Sequence, residues 1–187
     1  MPATTLDPKT ALVVIDLQKG FRSFPTVPPF DEVMARACDL LDAFRRKGLP
    51  VVLVNVAGGP AGRTEQSRAP RDLPPDWVEL ADELNPQPSD LLVTKRTRSA
   101  FVNTELEARL KALGVTQIVL IGVSTSAGVE SSGRHAFDLG FNVTFATDAM
   151  TDMSAEAHAN SISLVFPKVG ETATTRETIA LLEGAGA

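Results

Sequence analysis

The feature that most constrains the fold is a series of short, almost uninterrupted aliphatic runs: ALVVIDL (Ala11 to Leu17), PVVLVNVA (Pro50 to Ala57), LLVTK (Leu91 to Lys95), QIVLIGV (Gln117 to Val123) and NVTFATDA (Asn142 to Ala149). A strand with one wet face alternates apolar and polar residues, whereas a strand that is apolar throughout belongs in a parallel sheet covered on both faces. Between the first two runs, Val33, Ala37, Leu40, Leu41 and Phe44 recur at helical spacing and Gly48 follows as a stop signal. In NTELEARLKALG, Thr104 and Glu107 have the spacing of a capping box and Gly114 closes the helix. FPKVGE (Phe166 to Glu171) reads as a short final strand, followed by a helix over Thr175 to Glu183. Strands alternating with helices predict a Rossmann-like three-layer α/β/α sandwich with a mostly parallel, six-stranded sheet. At 187 residues the chain suits one well-buried core, so residues 1–187 are expected to form a single domain.

One stretch breaks the rhythm. Residues 58–90 are rich in Gly, Pro, Arg and Asp, hold the single tryptophan, Trp77, and are too long for an ordinary connection. A lid or an oligomer contact is the expectation there. The net charge of −5 and scattered basic residues argue against nucleic acid as a partner. No apolar run approaches eighteen residues and no charged-then-apolar leader precedes the first strand, so no membrane association and a cytoplasmic location are expected. The one cysteine, Cys38, cannot form an internal disulfide. It falls mid-helix at a core-like position, where a free cysteine packs as a small apolar residue.

In a doubly wound sheet, ligands gather beyond the carboxyl ends of the strands. Three features converge there: Asp16 at the end of the first run, Lys95 at the end of the third, and Gly122 to Gly128 after the fourth. An acid and an amine brought together in an apolar setting perturb each other, as a proton-transfer pair requires. A turn cap for Asp16 and a surface position for Lys95 are the plainer alternatives.

The segments ALVVIDLQKGF, VTKRTRSAF and VLIGVSTSAGVESSGRHAFDLGFNVTFATDAM occur in an order that resembles the isochorismatase-like hydrolase superfamily over most of the chain. The resemblance implies a homodimer or homotetramer with a site made from the aspartate of the first motif, the lysine of the second and a cysteine of the third. Asp16 and Lys95 match the first two, and the cysteine falls on Gly128. Amidase members of the superfamily, which include nicotinamidases and ureide hydrolases, use that thiolate as nucleophile. True isochorismatases have glycine there and cleave a vinyl ether with the aspartate as proton donor. The resemblance also implies a cis peptide at Val123–Ser124 that shapes an oxyanion pocket.

Asp16, Lys95 and Gly128 are therefore the expected catalytic positions, for chemistry without a covalent intermediate. Gly128 sits in the first turn of a helix, where backbone N–H groups form a positive pole that a ligand can approach when no side chain intervenes. Gln18, Phe21, Arg98, Val123, Ser124 and Thr125 are the expected substrate-binding residues, Arg98 as a bidentate partner for a carboxylate. Thr125 or Ser126 is expected to cap the helix. True isochorismatases resemble KWRYSAF where this chain reads KRTRSAF, so the arginine is displaced and the tyrosine lost. His135 and His158 stand singly on predicted helices and NVAGGPAGRTEQS lacks the histidine of a nicotinamidase metal motif, so neither metal nor cofactor is expected. The partner expected is a small-molecule substrate. A hydrolase that activates water on an amide or ureide, and a binding protein that retains the pocket without turnover, are the alternatives.

Overall fold

The computed structural model describes residues 2–65 and 74–184. Six strands form one sheet: β1 (Thr10–Ile15), β2 (Val51–Val56), β3 (Leu91–Lys95), β4 (Gln117–Val123), β5 (Asn142–Thr151) and β6 (Glu171–Ala173). Their spatial order is β3-β2-β1-β4-β5-β6, and every pairing is parallel. Helices α1 (Phe30–Arg46), α2 (Leu106–Ala112), α3 (Glu130–Asp138), α4 (Ala155–Asn160), α5 (Phe166–Val169) and α6 (Thr175–Gly184) supply the outer layers.

The apolar runs are buried on both faces because alternate residues serve different layers. Leu12 and Val14 of β1 join α1 and α6 in one core cluster, with Val33, Ala37, Leu40, Leu41 and Phe44 lying toward the sheet. Ala11, Val13 and Ile15 join Leu106, Leu110, Ala136 and Phe166 in the other. The two-sided burial inferred from composition is thus the arrangement found.

Two local expectations are corrected. Phe166 to Glu171 is not a strand: Phe166 to Val169 is helical and only Glu171 to Ala173 pair with β5. Phe166 and Val169, three residues apart, both face the core, and the Phe166 ring stacks on Phe145 at 3.8 Å, so a short apolar run served a helix face. Nor does Thr104 complete a capping box. Its hydroxyl donates to the Ala100 carbonyl at 2.6 Å, and α2 begins after Glu105, which makes no side-chain cap bond.

Part of the stretch 58–90 lies outside the described residues. Residues 77–84 are laced to the chain after β1. Lys19 N donates to the Glu79 carbonyl and Ala81 N to that of Leu17, Lys19 pairs with Glu79 and Asp82, and Arg22 pairs with Glu83. The Trp77 ring covers Gly20 so closely that a Cβ there would come within 2.2 Å of it. Among the described residues no helix is long and apolar enough to cross a membrane.

Candidate functional site

The order β3-β2-β1-β4 reverses direction at the β1/β4 boundary, which opens a crevice beyond the carboxyl ends of the strands. Asp16 follows β1 directly and has φ +53, a left-handed conformation that Asp tolerates better than most residues. Its N–H still donates to the Val54 carbonyl, so the bend comes immediately after the last ladder bond. The opposing strand adapts to it. Gly122 has φ +120, and a Cβ there would lie 1.9 Å from the Ile15 carbonyl oxygen, so only glycine permits β4 to run this close beside the residue preceding Asp16.

Lys95 reaches the same point from β3, two strands and about 10 Å away, a gap its long stem spans. Its Nζ donates to Asp16 Oδ2 at 2.6 Å and to the Thr97 carbonyl at 3.1 Å. Both side chains are almost wholly buried. Among the described residues no protein group donates to the other carboxylate oxygen, Asp16 Oδ1, which is itself buried. Burial pushes the Asp16 carboxyl up to about 6, with the Lys95 charge and hydrogen bond acting in the opposite direction. Desolvation therefore outweighs the ion pair, and this acid exchanges its proton near neutral pH.

Asp16 and Lys95 open into a cavity of about 420 Å³ walled by Phe21, Val56, Pro60, Arg98, Ser124 and Met153, with Gly128 at its base. Phe21 is backed by Trp77, ring centroids 5.1 Å apart. The exposed Arg98 is the guanidinium on this wall. Gly128 packs tightly. A Cβ at this position would lie 3.0 Å from Ile15 Cγ2, 3.1 Å from the Val123 carbonyl and 3.3 Å from Asp16 Oδ2, so close helix–sheet contact and an open approach to the carboxylate coincide here.

The Val123–Ser124 peptide is cis. Beyond it, Thr125–Val129 form a single π-helical turn that continues into α3. The amides of Ala127 and Val129 donate to the Ser124 carbonyl, and that of Ser126 donates to Asp152 Oδ2 at 2.7 Å. Neither expected cap forms: the Ser126 hydroxyl also bonds Asp152, and that of Thr125 lies 2.8 Å from His158 Nδ1.

Among the expected binding residues, Phe21, Arg98 and Ser124 reach the cavity, whereas Gln18, Val123 and Thr125 do not. Gln18 is fully buried. Its amide accepts from Val56 N and donates to the Val56 and Trp77 carbonyls, so it clamps the end of β2 to the segment around Trp77. Val123 is core and Thr125 is fully buried. Val56, Pro60, Thr97 and Met153 complete the walls. Val56 was accessible to sequence reasoning as a strand-end residue, but nothing in the sequence marks Met153. The histidines are both in place as hydrogen-bonded helix residues, His135 on Ser99 at 3.1 Å and His158 on Thr125. Among the described residues no three His, Cys, Asp or Glu cluster as a metal site.

Comparison with known proteins places these features in a family. The model of the isochorismatase domain matches residues 10–177. The isochorismatase-family protein YwoC of Bacillus subtilis (strain 168) is 40% identical over 179 residues, covering 90% of this chain and 92% of that protein. YecD of Escherichia coli O157:H7, from the same family, is 41% identical over 181 residues, covering 92% and 96%. The solved structure of an isochorismatase family protein from Burkholderia thailandensis superposes with a TM-score of 0.91 at 38% identity, covering 96% of this chain and 98% of that one.

Proposed function

The chain belongs to the isochorismatase family of hydrolases, and from that premise we propose that it hydrolyses a small molecule without a covalent enzyme intermediate, by vinyl-ether cleavage of the isochorismate type. The observation that carries the reading is the Asp16 carboxyl. It is buried, fixed through Oδ2 by Lys95, without a donor at Oδ1 among the described residues, and raised to about 6. A carboxyl held in this way is suited to deliver a proton and then recover it.

In the proposed reaction, Asp16 protonates the terminal carbon of the vinyl ether. Water adds to the resulting oxocarbenium carbon and returns a proton to Asp16, and the hemiketal separates into a carbonyl compound and an alcohol. One water is consumed and the enzyme is unchanged. Lys95 holds the carboxylate in place and balances its charge while it is ionised. Gly128 leaves room beside Asp16 where a thiol-bearing side chain would otherwise stand. Arg98 binds a substrate carboxylate, and Phe21, Val56 and Met153 enclose its apolar body. Residues 1–187 act as one domain, in a cytoplasmic homodimer or homotetramer.

A second reading is supported by the same ion pair. The Lys95 charge favours ionised Asp16, and an ionised Asp16 would activate water against an amide or ureide carbonyl. The purified protein should be assayed on isochorismate, simple amides and ureides, beside Asp16→Asn and Arg98→Ala variants. Vinyl-ether cleavage lost in Asp16→Asn, with KM for a carboxylate substrate raised about tenfold or more in Arg98→Ala, is the expected result. Turnover of amides alone selects the second reading. Ligand binding without turnover by the parent protein would make it a binding protein.

A further inference from the structure

Thr125 was expected to touch substrate, yet it is fully buried, outside the cavity, and occupied by His158. What then does this contact do? His158 lies on α4, a six-residue helix with no buried residue, so filling the core is not its task. Burial lowers its pKa, with Asp152 pulling the other way, so its ring is favoured in the neutral form, whose Nδ1 can accept a hydrogen bond from the Thr125 hydroxyl.

A neighbouring residue grips the same turn. Asp152 Oδ2 accepts from both the amide and the hydroxyl of Ser126 at 2.7 Å, and its own backbone is paired with Val27. Met153, between these two residues, extends into the cavity and accepts the Ser124 hydroxyl at its sulfur. The segment Asp152 to His158 thus holds the outer side of the turn through Thr125 and Ser126, while the inner side presents Ser124 and Gly128 to the cavity.

We propose that His158 is a positioning residue of this site: by holding the Thr125 hydroxyl it fixes the turn from Thr125 to Gly128 at the distance from Asp16 that turnover requires. This rests on the reading that the cavity at Asp16 is where hydrolysis occurs. A displacement of about 1 Å in such a turn is enough to cost up to about a hundredfold in rate.

The test compares the parent with His158→Leu, which lacks the acceptor, and His158→Asn, whose side-chain amide can replace Nδ1. It also includes Thr125→Val and Asp16→Asn, all on the best substrate from the panel above, with the folded fraction of each followed by thermal melting. His158→Leu and Thr125→Val should lower kcat about ten- to a hundredfold per folded molecule with KM within about threefold. Their combination should be no worse than either, and His158→Asn should recover to within about threefold of the parent. Parent-like kcat in His158→Leu, a loss that only tracks the unfolded fraction, or no recovery in His158→Asn overturns the positioning role. If His158→Leu fails to fold, Thr125→Val and His158→Asn decide alone. Where Asp16→Asn is inactive and His158→Leu is not impaired, this inference fails by itself. Where Asp16→Asn keeps its activity or the parent turns over nothing, the underlying reading fails and takes this inference with it.

Discussion

Asp16 offers the sharpest test, because its two proposed roles require opposite protonation states. With its pKa near 6, the carboxyl is about nine-tenths protonated at pH 5 and about one-hundredth protonated at pH 8. If Asp16 donates the proton, kcat/KM follows the acid form and falls about ninetyfold over that interval, approaching tenfold per unit above pH 7. If Asp16 is the base, kcat/KM follows the ionised form and rises only about elevenfold, levelling above pH 7. The assay is initial rates at low substrate concentration from pH 4.5 to 8.5, with the Asp16 carboxyl carbon titrated in parallel by NMR. Stability shares the same origin. The folded chain binds this proton more tightly than an unfolded one with its ordinary value of 3.8. The stabilisation is therefore complete below about pH 3.8 and disappears as pH rises through about 6, a span on the order of 3 kcal/mol. An Asp16 carboxyl that titrates near 4, or a rate that is flat from pH 5 to 8, would refute the argument that burial outweighs Lys95.

Three further outcomes follow from the geometry. Cys38 lies on α1, partly buried, and burial pushes its thiol above the ordinary range; Cys38→Ala should keep at least about half the parent's kcat/KM, and mass spectrometry during turnover should find no substrate adduct on the protein. Gly20→Ala forces the Trp77 ring away from a Cβ that would lie 2.2 Å from it. It should destabilise by about 1 to 3 kcal/mol and shift Trp77 fluorescence, the chain's single tryptophan signal; unchanged emission and melting would contradict the described packing. Gly128→Ala requires Ile15 and the Val123 carbonyl to give by a few tenths of an ångström. Calorimetric unfolding should change by about 1 kcal/mol or less, while kcat/KM falls about tenfold or more as the methyl crowds Asp16.

The doubly wound sheet was legible in the chain because five of its six strands are near-continuous aliphatic runs, and helical patterns follow the first and third of them. Asp16 and Lys95 were accessible for a related reason: each is the first charged residue at the end of such a run, and in a parallel sheet those ends share one edge. Reading failed where a side chain's partner is distant in sequence. Gln18 looked like a pocket residue until its amide proved to be bonded to Val56 and Trp77. Thr125 and Ser126 looked like caps, but their acceptors lie 33 and 26 residues onward. The stretch Phe166 to Glu171 was too short for periodicity to separate a helix face from a strand.

The division of the cavity wall into exposed and locked parts has a consequence for how readily such a protein could change its substrate. Gly59, Pro60, Arg98 and Met153 contribute walls yet remain exposed on strand-end loops, and replacing residues of that kind ordinarily alters stability by about 0.5 kcal/mol or less, whereas Gly58, at φ +153, is best left as glycine. Asp16 and Lys95 lie wholly inside, each dependent on the other for its charge balance. A library randomised at these four exposed positions should therefore remain folded almost throughout while sampling many cavity shapes around the unaltered Asp16–Lys95 ion pair. Under the proposed reading, the chemistry would be kept by the interior while the choice of molecule is left to residues the fold can spare.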